Sequence, residues 1–537
     1  MSILSGNVLR TVLIASVLLL SLILRMPGLT ARSLWFDEAS AWAAVTQFSP
    51  GELLESCRQN VHPPVWYFVF KAWVCLFGDS LASMRGLSVL TSVAVVGCGM
   101  GLASESARDV RRVNGRFEAA MMAGLLLATS TMQIVWSQQA RMYMLGSLWT
   151  VSGSWLLLNA IRRQRRRDWF AFGVAAFLLL HTHNFGMFVV AGQGVYVLGM
   201  SLSDWWSSRI ERRKQSGIGC APQQQPALTL TTSSRQWRGF WILVIVGICF
   251  LPWLRVVGQQ MARVRADYWI APFEIQQIGD VVRQLFLPEN AARIDAVPPQ
   301  RFEWLVVAAI FNFLFAAIAS RLATLPAVVA AVSFGGGIIV SAFVTPLMVA
   351  RYFLFGQVVL LVAIGVAVSR IPQRRLRMSL VAAIVMLSVA SLSLLPSKSD
   401  FENSPGLSGL VQSVLSKRRS EEPLLVASSY LFHATRFHVN HAAGGSQVCV
   451  MLLRDTRQLR HYSGGSVIQP SDILVPAELD VSDFSSAWLV DVAEFPLWME
   501  EITFAPVWAR DEDSQLRADE LSGVRCVVTA VRITRNE

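Results

Sequence analysis

Long apolar runs alternate with short polar connections from residue 11 to residue 395, a rhythm unlike the periodicity of a soluble domain. A helix needs about 20 predominantly apolar residues to cross a bilayer. On that measure eleven crossings are predicted, near 11–29, 80–103, 118–134, 142–161, 169–182, 185–203, 239–257, 304–320, 324–345, 352–369 and 378–395. The stretch 64–77, PVWYFVFKAWVCLF, is too short to span, carries Lys71 and is rich in aromatics, which predicts a helix lying in the outer interface. Beyond residue 395 the pattern changes to short runs such as PLLVASS, SQVCVMLL, SAWLVDV, EITFAPVW and VRCVVTAVRIT, which predict strands, with a helix around 430–439. The predicted fold class is a polytopic α-helical membrane domain over 1–395, with about eleven transmembrane helices, followed by a small extracytoplasmic α/β domain over 396–537.

The connections 108–116, 162–167, 209–238 and 370–377 are loaded with arginine, which marks them as cytoplasmic. The connections that alternate with them carry LWFDEAS, NVHPP, QQARMY, HTHN, RADYW and VARYF, and these gather on the opposite face. The expected location is the plasma (inner) membrane, with the chemically capable loops and the α/β domain extracytoplasmic. Two connections exceed a turn. The cytoplasmic one, 204–238, contains SGIGCAPQQQPALTLTTSS and is expected to be a disordered linker. The central outer loop, 258–303, combines aromatic, acidic and basic residues, a mixture that favours function.

The net charge of +11 resembles a nucleic-acid signal until it is divided along the chain. Residues 1–395 hold 34 Lys and Arg against 17 Asp and Glu, whereas 396–537 hold 13 against 19. The positive excess sits in loops facing anionic headgroups, so membrane lipids are the expected partner and nucleic acid is excluded. The seven cysteines form no CxxC and no metal-ligand spacing. Cys449 and Cys526 lie in strand-like runs of the same domain, which leaves a disulfide between them open. The segment HATRFHVNH, with His433, His438 and His441, does not place three ligands on one helical face, and a surface helix is expected there instead of zinc.

Asp37 and Glu38 lie about ten residues after the first span, flanked by Trp35, Phe36 and Trp42, close to the headgroups. They are candidates for a general base; a solvated acidic pair beside an aromatic belt is the alternative. The same loop closes on His62, Pro63 and Pro64, where the prolines fix the chain's entry to the next helix. LWFDEAS, followed after about 25 residues by HPPVWYFVFKAWVCLFGDSLASMRGLSVL, resembles the opening of the glycosyltransferase family 39 group, which contains protein O-mannosyltransferases and lipid A aminoarabinose transferases. QQARMYML, HTHNFGMFVV, RADYWIAPF and VARYFLFG are similar to its later motifs, in order and on one face.

The resemblance implies a multi-span fold of the GT-C class and a membrane glycosyltransferase that takes a sugar from a polyprenyl-phosphate donor on the outer leaflet. Asp37, with Glu38 beside it, matches the family's catalytic carboxylate. Arg141 and Arg351 open spans at the outer surface, where a guanidinium can bind phosphate through two parallel bonds. Tyr143 and Tyr352 beside them, and His62, His183 and Asn184 on the same face, are candidates for binding the donor's phosphate or sugar. Asp267, Tyr268 and Trp269 in the central loop are candidates for the acceptor side. The acceptor class, a hydroxyl on a lipid, glycan or protein, stays open. Some family members place a divalent metal beside a second acidic motif; here no second Asp-Glu pair occurs in the first loop, so no obligatory metal is expected. The competing expectation is a secondary transporter of a glycan or lipid-linked substrate, which would place ionisable residues near the middle of its spans.

Overall fold

Each of the eleven apolar intervals folds as helix in the computed structural model, which describes residues 6–110, 112, 114–216, 230–265, 270–286, 301–319, 324–393, 398–443, 445–454, 466–480, 484–493, 507–520 and 526–535. Helix α1 (Gly6–Arg25) is followed by three shorter helices, α2 (Phe36–Gln47), α3 (Pro50–Gln59) and α4 (Val65–Phe77). Then come α5 (Leu81–Ser106), α6 (Gly115–Thr129), α7 (Thr131–Ser137), α8 (Tyr143–Arg163), α9 (Arg166–Leu180), α10 (Gly186–Ser216) and α11 (Leu230–Arg265). The helical part closes with α12 (Gln276–Phe286), α13 (Arg301–Ala319), α14 (Thr324–Phe343), α15 (Leu354–Ser369) and α16 (Arg374–Leu392). Among the described residues eight helices are long and apolar enough to cross a membrane: α1, α5, α8, α10, α11, α14, α16, and α15 together with the 3-10 turn Ala350–Phe353 that leads into it. The pair α6 and α7, bent by 59° at Ser130, counts as a ninth if it is one broken span. The intervals 169–182 and 304–320 form α9, of 15 residues, and α13, of 19 residues, which fall outside these eight.

The bend in the sixth helix has an identifiable chemical support. A break frees backbone carbonyls that the apolar interior cannot hydrate, so side chains must satisfy them. Arg25, buried at the end of α1, donates to Leu127 O at 3.2 Å and Ala128 O at 3.0 Å, and to Ser92 Oγ at 2.8 Å. From α15, Gln357 Nε2 reaches Leu285 O at 2.5 Å and Ser130 Oγ at 3.4 Å, and Gln357 Oε1 accepts from Gln133 at 2.9 Å. The bend thereby turns α7, which leads to the turn carrying Arg141, by 59° from the line of α6.

The expected α/β region begins with α17 (Lys398–Asn403) and α18 (Gly406–Lys417). Its six strands are β1 (Leu424–Val426), β2 (Val450–Leu453), β3 (Ile473–Leu474), β4 (Ser486–Ala493), β5 (Trp508–Glu520) and β6 (Cys526–Arg535), in the order β3-β2-β1-β4-β6-β5. The first four are mutually parallel; β6 runs antiparallel to both β4 and β5. Helix α19 (Ser429–Asn440) connects β1 to β2, and the short α20 (Pro476–Asp480) follows β3.

One expectation is corrected, and two further readings meet the structure. Helix α19 is not a surface helix: it is buried from Ser429 through Val439 apart from Arg436, because one face packs on the sheet and the other on α2. Cys449 and Cys526 are free. Cys449 leads into β2 and Cys526 opens β6, with β1 and β4 between them, a separation of about 14 Å at ordinary strand spacing and beyond the reach of a disulfide. Helices α10 and α11 both extend into the interval expected as a linker, and its middle, 217–229, lies outside the described residues.

Candidate functional site

Arg85, near the start of α5, organises the chain between α1 and α2. It donates to the carbonyls of Leu29, Arg32 and Ser33 at 2.7, 3.1 and 2.9 Å, and to both oxygens of Glu38 at 3.0 and 2.9 Å. Glu38 also accepts the amide of Ala140 at 2.7 Å and that of Trp35 at 3.4 Å. With both side chains 1% exposed, this ion pair is sealed from water. Burial alone would raise the Glu38 carboxyl, but Arg85 and the Ala140 amide together outweigh it and hold the carboxyl below its usual range.

Consecutive helical residues point about 100° apart, so Asp37 leaves the pair on a different face. Its carboxylate is 24% exposed and stands 3.8 Å from Nη2 of the buried Arg141. Arg141 also donates through Nη1 to the Asp37 carbonyl at 3.0 Å, and its Nη2 lies 3.1 Å from His62 Nε2. Burial would weaken the Arg141 charge, yet the facing Asp37 more than offsets that and raises its pKa. Because a guanidinium only donates, His62 Nε2 accepts and the ring proton sits on Nδ1.

His62 is fixed from the turn between α9 and α10. Asn184 donates to Val61 O at 2.9 Å, and the Val65 amide donates to His181 O at 2.9 Å. Asn184 thus ties the loop ends together. His183 Nδ1 accepts the Phe185 amide at 3.0 Å, so its proton sits on Nε2, which is buried without a partner. The His183 ring lies 5.3–5.6 Å from the rings of His62, Tyr143, Tyr352 and Phe355. Burial first, then Arg141 and Arg351, lower His183 to about 3, and the same causes, with His183 added, hold His62 well below 6.5.

Arg351, on the 3-10 turn, completes the cluster. Its guanidinium lies 5.9, 5.8 and 5.7 Å from the ring centres of Trp35, Trp136 and Tyr352. An apolar cavity of about 240 Å³ is lined by Phe353, two residues along the chain, with Val282, Phe311, Leu314 and Phe334, and by none of the cluster's polar side chains. Asp37, His62, Arg141, Tyr143, His183, Arg351 and Tyr352 therefore meet, although they come from five separated stretches of chain. Glu38 and Asn184 instead brace the loops around them. Asp267, Tyr268 and Trp269 lie outside the described residues. Tyr67 was missed: it is buried and hydrogen-bonded to Arg141, but in VWYFVFKAW nothing separates it from an interfacial aromatic. Among the described residues no group of three or more His, Cys, Asp or Glu could hold a metal.

No family model matches the chain, and no curated protein matches it. Among solved structures the chain is similar to ArnT from Cupriavidus metallidurans bound to undecaprenyl phosphate, at 14% identity, TM-score 0.55 and 98% coverage of both chains. The chain has the GT-C fold. The apo state of the same ArnT matches at 14% identity and TM-score 0.54 over 97% of each chain. AglB, the oligosaccharyltransferase of Archaeoglobus fulgidus in complex with an inhibitory peptide and a dolichol-phosphate, gives 11% identity and TM-score 0.48 over 92% of this chain and 71% of its own. A multi-pass membrane fold agrees with the apolar helices of this chain.

Proposed function

We propose that this chain transfers a sugar from a polyprenyl-phosphate donor to an acceptor hydroxyl at the outer face of the plasma membrane. The observation that carries the reading is the meeting of one partly exposed carboxylate with two guanidiniums, in a fold that also holds an apolar cavity lined by Phe353, two residues from Arg351. An ester of a lipid and a sugar phosphate has those three needs: room for hydrocarbon, cations for the phosphate, and a base at the anomeric carbon. Asp37 takes the proton of the acceptor hydroxyl as its oxygen attacks the anomeric carbon. The bond from that carbon to the phosphate oxygen breaks, and polyprenyl phosphate leaves with its charge stabilised by Arg141 and Arg351. His183 Nε2–H and the hydroxyls of Tyr143 and Tyr352 supply neutral donors to sugar or phosphate oxygens. Purified protein given a radiolabelled polyprenyl-phosphate sugar and a hydroxyl acceptor should release polyprenyl phosphate; no release or transfer across hexosyl and pentosyl donors would sink the reading.

Arg351 separates phosphate binding from simple anchoring. A lysine keeps the charge but lacks the planar pair of donors, so Arg351→Lys should raise donor KM by about tenfold and Arg351→Ala further. A wild-type KM in the lysine variant would remove Arg351 from the phosphate site. The histidines give a second check. With lowered pKa values both rings stay neutral through the physiological range, so donor KM should be flat between about pH 6 and 8, without the inflection of an ordinary histidine near 6.5. An inflection near 6.5 that vanishes in His62→Gln would show that His62 titrates there.

A further inference from the structure

HATRFHVNH, set aside as a zinc motif, folds into α19, and α19 lies directly against the helix that carries Asp37. His438 Nε2 accepts the amide of Leu34 at 3.1 Å, across 404 positions of sequence. Leu34 stands three residues before Asp37, on the extended segment that enters α2. The contact is not isolated. Tyr430 packs on Phe36 with ring centres 4.8 Å apart, and Phe437 meets Trp42 edge-on at 5.2 Å. Asp79 joins the far end, accepting from Trp42 Nε1 at 2.8 Å and lying 3.2 Å from His441 Nε2. Ser33 Oγ donates to Pro405 O at 3.0 Å and accepts the Ser408 amide at 3.1 Å.

We propose that His438 is a positioning residue: the sheet domain fixes the orientation of Asp37 by holding the Leu34 amide through His438 Nε2. The opposite side of the same segment is held by Arg85 through the carbonyls of Leu29, Arg32 and Ser33, so His438 and Arg85 grip it from two sides. A backbone amide can only donate, which fixes the His438 proton on Nδ1 and leaves Nε2 as an acceptor. Burial, then Arg85 and His441, keep the ring neutral down to about 3, against the opposing pull of Glu38, so the bond persists across physiological pH. His438 touches no reacting atom; it acts through Asp37.

Two readouts on the full-length protein in lipid nanodiscs test this. Hydrogen exchange of peptides covering residues 33–38 reads the grip itself: His438→Leu should accelerate exchange there by about tenfold or more, and His438→Gln, whose amide oxygen takes the place of Nε2, should restore protection. The kinetic arm rests on the function proposed above. His438→Leu should lower kcat by about 10- to 100-fold with most of the loss in kcat and little in donor KM, and His438→Gln should recover most of it. Unchanged exchange in the leucine variant overturns the proposal, as does equal loss in leucine and glutamine variants, or wild-type kcat with a loosened segment. Should the leucine variant not fold, His438→Asn replaces it, being one methylene shorter than glutamine and unable to reach the amide. If the wild-type protein transfers no sugar, the proposed function fails while the exchange arm still decides the grip.

Discussion

Asp37→Asn is expected to lower the rate of sugar transfer by about 10²–10⁴-fold, the range typical of losing a general base. Asparagine keeps the shape of the side chain, and the bond from Arg141 Nη1 goes to the Asp37 backbone carbonyl, so the cluster's frame survives the substitution. What is lost is the one carboxylate of the cluster that is accessible and unsealed, at 24% exposure. Donor KM should move by no more than about threefold, because Arg351 and two of its aromatic neighbours, Trp136 and Tyr352, stand on other segments. Steady-state turnover on a labelled donor, with donor binding measured separately, distinguishes the outcomes. A variant that keeps most of its turnover would take the proton-accepting role away from Asp37 and give it to water or to a group of the acceptor.

The apolar rhythm made the helices legible, because a membrane span must be nearly continuous in apolar residues and leaves little room for another reading. The α/β region was legible for the opposite reason: its runs are short and bounded by turn residues. The cluster around Asp37 was legible in part. Residues on one membrane face must share a surface, which brought Asp37, Arg141 and Arg351 to notice, but sharing a surface does not say which groups touch. Tertiary partners decide that. Glu38 was indistinguishable from Asp37 until Arg85 was seen to take it, and Arg85 sits within an apolar helix whose sequence gives no hint of a target 47 residues away. His438 carried the wrong association altogether, because spacing argues about one helix whereas its partner, Leu34, belongs to another part of the chain. The break at Ser130 left only the weak signal of TSTMQ within an otherwise apolar run.

Glu38→Ala is expected to destabilise the protein by about 3–5 kcal/mol, the cost of leaving a buried charge without its partner. The guanidinium of Arg85 would remain 1% exposed with carbonyl oxygens for company and no counter-charge, and the Ala140 amide would lose its acceptor. A double variant, Glu38→Leu with Arg85→Met, should recover only part of the stability, since an apolar pair avoids the cost of desolvating two charges but leaves the carbonyls of Leu29, Arg32 and Ser33 and the Ala140 amide without these partners. The pH dependence has a fixed sign. Glu38 is held below its unfolded value of 4.5, so its contribution is fully present above about that pH and is lost as pH falls through the folded pKa. Thermal unfolding of the detergent-solubilised protein should therefore show a wild-type acid shoulder that is absent from the double variant. Stability of Glu38→Ala within about 1 kcal/mol of wild type would mean that water reaches Arg85 and that the pair is not sealed. Ala140 immediately precedes Arg141, so loosening Glu38 also releases the turn that presents Arg141 to Asp37. The two adjacent carboxylates are thus expected to fail in opposite ways: Asp37→Asn loses turnover in a protein of ordinary stability, whereas Glu38→Ala loses stability first and turnover as its consequence.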